Sequence, residues 1–135
     1  MRLLASTDFA LRLLMTLGRL PSGERVSVER LADSLGGLSR NHLHKIVQDL
    51  VGLGIVTTVR GAGGGVILAK APKKVSIGAL VRALEKDQPI VECFRSEGSA
   101  CTFLPGCRLR SLLKDARERF YQTLDNSTLA DCIAG

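Results

Sequence analysis

Aromatic residues are scarce in this chain: no Trp, one Tyr and four Phe. Single-stranded nucleic acids are held by stacked aromatic rings, so a platform of that kind is disfavoured. No apolar run approaches the roughly 20 residues that span a bilayer. The first apolar stretch is broken by Asp8 and Arg12, and no small-residue cleavage site follows it. A secretory leader is not expected, and the reading is a protein of the reducing cytosol. There is no Gly-x-Ser-x-Gly elbow, no His-Glu-x-x-His pair and no phosphate-loop lysine, so no enzyme is expected. Acidic residues are short in the first half. Residues 1–74 carry 11 Lys/Arg against 5 Asp/Glu, whereas residues 75–135 carry 8 of each. The whole net charge of +6 therefore lies in the first half. A basic half points to a polyanion, nucleic acid foremost; the alternative is a solvated basic surface.

What is present suits a globular chain. Its 135 residues are 45% hydrophobic and 24% charged, enough for one domain with a modest core. Apolar spacing predicts a first helix from Ser6 to Leu20, with Ser6 or Thr7 as N-cap and Asp8 in the first turn. Gly18 is a weak point inside it. A second helix follows Ser27, with Leu31, Ala32 and Leu35 inward, and Gly36-Gly37 stops it. A third is capped by Ser39 and buries Leu43, Ile46, Val47 and Leu50. The β-branched run 55–59 and the run 66–69 flank a glycine tip, Arg60 to Gly65, and predict a hairpin. Two short helices around a glycine turn, then a hairpin, describe a winged helix-turn-helix over residues 1–74. The fold class is mainly α with a two-stranded wing.

The third helix carries the chemistry of a DNA reader. Arg40 suits guanine and Asn41 suits adenine, while His42, His44 and Lys45 reach bases or phosphates. Ser39 at the helix start suits a phosphate. Polar residues alone would equally make a solvated helix face. Arg60 beside Gly61 on a flexible tip adds a residue fit for a narrow minor groove. The glycines of 61–65 are no dinucleotide loop, because no helix follows them.

Residues 75–135 form the second unit. Ser76 caps a helix from Ile77 to about Glu85, and residues 88–107 read as a loop. Beyond it Leu109, Leu112, Leu113, Ala116, Phe120 and Leu124 make a narrow apolar stripe opposite Arg110, Lys114, Arg117, Glu118 and Arg119. Such a stripe predicts a dimerisation helix, packing onto its own domain being the alternative.

Cys93, Cys101 and Cys107 stand within 15 residues of each other in the loop. In a cytosolic chain such a cluster reads as a metal or redox site before disulfides. No Cys-x-x-Cys pair occurs, and the wide gaps suit an iron–sulfur cluster better than zinc. A fourth ligand is open among Cys132, a carboxylate, a histidine and an exogenous molecule. Glu92 and Glu97 read as solvated loop charges.

Ser39-Arg40-Asn41-His42 with Lys45-Ile46, then Arg60-Gly61, Gly64-Gly65 and Leu68-Ala69, resembles the Rrf2 family of bacterial winged-helix regulators over nearly the whole chain. Cys107-Arg108-Leu109, Leu124-Asp125-Asn126 and Thr128-Leu129-Ala130-Asp131 resemble its nitric-oxide-sensing repressors. The resemblance implies a homodimer that binds double-stranded promoter DNA while it carries an iron–sulfur cluster, [4Fe–4S] ahead of [2Fe–2S]. Nitrosylation of the cluster would release the DNA. The implied ligands are Cys93, Cys101 and Cys107, with an aspartate near the start of the other subunit's first helix, where Asp8 stands. Read from the residues alone, Asp8 is a helix-dipole partner. The family's cluster-biogenesis regulator carries a histidine three residues after its last cysteine; this chain has Arg110. The gap between Cys93 and Cys101 is longer than either group leads one to expect, and Cys132 lies outside the motif. The competing readings are a regulator of the same family that senses iron–sulfur status or redox state, a small cluster-bearing redox protein, and a constitutive regulator with structural zinc.

Overall fold

The computed structural model describes residues 1–62 and 64–134; Gly63 of the glycine tip and Gly135 lie outside the described residues. The elements in chain order are α1 (Ala5–Gly18), α2 (Val28–Ser34), α3 (Arg40–Gly52), β1 (Val56–Val59), β2 (Gly65–Leu68), α4 (Ile77–Glu85), α5 (Arg108–Asp125) and α6 (Leu129–Ile133). Single 3₁₀ turns occupy Pro72–Lys74 and Glu92–Phe94, the latter inside the segment expected to be all loop.

The start of α1 departs from the expected cap. Leu4, not Ser6 or Thr7, is the N-cap, and it has no side-chain cap of its own. A distant group replaces the local one: the Leu4 N–H donates to Glu85 Oε1 at 2.7 Å. Ser6 and Thr7 thus lie within the first turn, with Thr7 buried. The helix stops at Gly18, two residues early. The next caps are the expected ones. Ser27 Oγ accepts the Arg30 N–H at 3.1 Å, and Ser39 Oγ accepts the His42 N–H at 3.2 Å. Each satisfies a backbone donor that the helix cannot. Leu31, Leu43, Ile46, Val47 and Leu50 are buried beneath α2 and α3. Each fully buried leucine contributes about 1.5–3 kcal/mol of transfer free energy.

The wing is an antiparallel pair running from Val56↔Leu68 to Val59↔Gly65. Val26, just before α2, exchanges both backbone hydrogen bonds with Val66, at 3.0 and 2.8 Å. That bridge sews the wing to the helix-turn-helix, and this is the winged helix-turn-helix that the sequence predicts.

Ser76 caps α4 as expected, accepting from the Ala79 N–H at 3.2 Å. At Gly78 the helix passes so close to α5 that an added Cβ would lie 2.7 Å from the Asp125 backbone nitrogen. Arg82 clasps Glu118 and Asp125 at 2.9 Å each and lies 4.7 Å over the Tyr121 ring. Hydrogen bonds from Arg82 hold the Glu118 carboxyl below its ordinary range, so this pin loosens only in acid, as Glu118 protonates. Gly78→Ala is expected to cost about 1–3 kcal/mol by overpacking this crossing. A thermal melt checks it; an unchanged melting temperature would show that the two helices part without cost.

α6 was not expected. The Thr128 N–H donates to Asp131 Oδ2 at 2.8 Å and closes its first turn. Leu129 is wholly buried. Ile133 Cδ1 lies 3.0 Å from where a side chain at Gly18 would begin. The glycine that reads as a weak point is where the C-terminal segment packs on α1.

The apolar stripe of α5 divides. Phe120 and Leu124 pack against the chain's own core. Leu109 and Leu112 are 61% and 53% exposed, and no residue of α5 is buried. The expected seam therefore narrows to the first half of this helix.

Candidate nucleic-acid interface and cysteine loop

α3 presents Ser39, Arg40, Asn41, His44 and Lys45 to solvent along its first turns. Ser39 spends its oxygen as an acceptor on the His42 N–H. Lys45 stands 3.9 Å from Asp49, a weak exposed pair. Arg40 is engaged: its Nη2 donates to Glu29 Oε1 on α2 at 2.7 Å. Beside these residues, α2, α3 and the wing enclose an open notch of about 520 Å³, which Arg40, His44, Arg60 and Gly61 help to line. Gly61 has φ +87°, the left-handed conformation that lets the chain turn here. Its carbonyl accepts the Gly64 N–H at 2.9 Å and closes the tip. Helix and wing thus bring Arg40, His44 and Arg60 to one face, as a groove-reading site requires.

His42 sits differently from the rest of that row. It is half-buried, and its ring meets Phe9 of α1 edge-on, with centroids 6.0 Å apart. Arg12 lies 5.4 Å over the same Phe9 ring and pairs with Asp8 at 2.6 Å. Local sequence pattern does not show that Phe9 joins Arg12 and His42 in this relay. The Asp8–Arg12 spacing of four residues on a helix was its legible signal.

The cysteine loop is held at two points. Phe94, next to Cys93, is flanked by the guanidinium groups of Arg110 and Arg117 of α5, at 5.2 and 4.7 Å from its ring centre. The Cys101 N–H donates to Ser99 Oγ at 3.1 Å. Cys107 is the N-cap residue of α5 and makes no capping bond through its side chain. Its sulfur sits at the positive end of an 18-residue helix, which suits an anionic group. Cys93, Cys101 and Cys107 are all free and half-buried, whereas Cys132 is exposed on α6. Three free sulfur donors on one loop suit an iron–sulfur centre by their chemistry. They are not gathered into a cage within the single chain. Among the described residues no three His, Cys, Asp or Glu side chains form a group that could hold a metal ion. Asp8 is taken up by Arg12. Among the described residues no helix is long and apolar enough to cross a membrane.

Residues 3–135 match the family model Rrf2, described as an iron-dependent transcriptional regulator. The chain is 43% identical to the HTH-type transcriptional regulator NsrR of Geobacillus kaustophilus, over 98% of this chain and 90% of that protein. It is 41% identical to the NsrR of Bacillus licheniformis, over 98% and 92%. Its fold superposes on IscR of T. potens with a TM-score of 0.76 at 25% identity, covering 99% of this chain and 87% of that one. A family match over almost every residue, with relatives this similar along nearly their whole length, places the winged helix and the cysteine loop in one lineage: the chain belongs to the Rrf2 family of transcriptional regulators.

Proposed function

We propose that the chain is a homodimeric, iron–sulfur-cluster-dependent repressor that binds promoter DNA and lets it go in response to nitric oxide. Residues 1–74 read the DNA, while residues 75–135 sense and dimerise. Cys93, Cys101 and Cys107 of one subunit and Asp8 of the partner subunit would hold the cluster, [4Fe–4S] ahead of [2Fe–2S]. The NsrR name of relatives at 36–43% identity supports this reading. So does the exposed stretch of α5, which offers a seam for a second copy. When bound, an iron–sulfur cluster supplies iron that nitric oxide attacks.

The observation that carries the reading is the relay from Asp8 to α3. Asp8 is tied to Arg12, Arg12 covers Phe9, and Phe9 touches His42 in the first turn of α3. What Asp8 is bound to therefore bears on the helix that reads DNA. In a dimer two copies of α3 must meet half-sites about 34–36 Å apart, so a small rotation costs contacts on both sides. Ligand at one place and DNA at another then share one coupling free energy.

The test is anisotropy of a labelled operator, selected by the protein from randomised duplexes, before and after nitric oxide. Release is expected; an operator that stays bound refutes the reading. Arg60→Ala is expected to weaken binding to that operator by about 1–3 kcal/mol and to leave the visible spectrum unchanged. An altered spectrum would place Arg60 with the cysteine loop rather than with DNA.

A further inference from the structure

We propose that Glu29 is a specificity-determining residue, which aims the Arg40 guanidinium at a base edge and cancels its charge toward DNA at large. The proposal rests on the reading of α3 as the DNA-reading helix. Glu29 stands in the first turn of α2, and Arg40 opens α3 eleven residues later. Their contact is a single hydrogen bond of 2.7 Å across the turn. Both side chains are almost two-thirds exposed, 63% and 64%. A pair so open to water adds little to stability, and the burial of α2 and α3 does not depend on it.

Its placement is what matters. Glu29 is the one acidic side chain lining the notch between α2, α3 and the wing, among the described residues. Arg40, His44 and Arg60 line the same notch. A carboxylate facing a polyanion weakens sequence-independent attraction, which depends on net positive charge near phosphates. A guanine asks for something else. It needs a planar fork presented at a fixed angle. The guanidinium has five N–H donors, and Glu29 occupies one of them. The others stay available on a side chain whose swing is restrained. Glu29 thus lowers affinity for arbitrary duplex more than affinity for the correct base pair. Specificity is that difference.

The test compares wild type, Glu29→Ala, Glu29→Gln and the control Glu24→Gln as cluster-loaded full chains. Each is titrated against an operator selected by wild type from randomised duplexes, and against a scrambled duplex of equal composition. Glu29→Ala is expected to bind the scrambled duplex about 3–10-fold tighter. Its ratio of operator to scrambled affinity falls about tenfold, with discrimination relaxed at one base-pair position in each half-site. Glu29→Gln keeps an acceptor for Arg40, so it gains the same scrambled affinity and loses less of the ratio. Equal gains on both duplexes, matching Glu24→Gln, would overturn the proposal and leave Glu29 as bulk charge. An unchanged ratio with a lower melting temperature would also overturn it, leaving only a dipole partner for α2. If wild type selects no sequence at all, the DNA-reading function fails first and this proposal fails with it.

Discussion

Replacing Cys101 with alanine is expected to abolish iron and sulfide binding and to drop operator affinity to the non-specific level, a loss of about 10³-fold or more. The melting transition of the winged helix should persist. Cys101 is half-buried in the loop before α5 and belongs to no part of the hydrophobic core. Its hydrogen bonds are made by its backbone, the N–H to Ser99 Oγ and the carbonyl from the Leu104 N–H, and both survive the change. Loss of affinity without loss of fold is therefore the signature of a ligand. Two readouts check it: metal analysis of the purified variant, and anisotropy on the selected operator. Full operator affinity in a metal-free Cys101→Ala protein would separate DNA binding from the thiol loop and end the proposed mechanism.

Leu112→Glu is expected to have an effect of similar size by a different route. Leu109 and Leu112 stand on the half of α5 that the described residues leave largely open, at 61% and 53% exposure. In an isolated chain a carboxylate there costs within about 0.5 kcal/mol, the usual range for surface changes. In a dimer seam it becomes a buried, unpaired charge and drives the copies apart. Light scattering should then report a monomer at concentrations where wild type is a dimer, with unchanged helical circular dichroism. Operator affinity should fall by about 10²-fold or more, because two linked half-site contacts become independent. A Leu112→Glu protein that remains dimeric would move the interface elsewhere.

The parts of the fold legible in the sequence are those where local chemistry decides. Ser27, Ser39 and Ser76 cap their helices because an oxygen there meets an N–H three residues on. The wing follows from β-branched runs around glycines. The start of α1 was not legible, because its cap is Glu85 Oε1, 81 residues away. No local preference encodes such a partner, and Ser6 and Thr7 are reasonable caps that tertiary structure passes over. α6 was within reach: Thr128-Leu129-Ala130-Asp131 has the spacing in which a carboxylate bonds back to the N-cap. Its five residues are too short to show a period, and its packing against Gly18 is long-range.

The candidate interface was legible as residue types on one helix face and one turn. Their pairing was not. Glu29 carries no signal in the local pattern, and only the turn between α2 and α3 brings it to Arg40. His42 read as one more polar residue of α3, yet Phe9 draws it toward α1. The three cysteines were legible by count and spacing, and the structure adds how the loop is tethered, through Phe94 between Arg110 and Arg117.

In the proposed mechanism a nitric-oxide-reactive iron–sulfur centre controls DNA binding. The most direct measurement is visible absorption and iron and sulfide content of the anaerobically purified chain, recorded with operator anisotropy while nitric oxide is added stepwise. A coloured protein is expected, whose cluster band bleaches and whose operator is released over the same range of nitric oxide. A colourless zinc-bearing protein, or a cluster that bleaches while the operator stays bound, would contradict it.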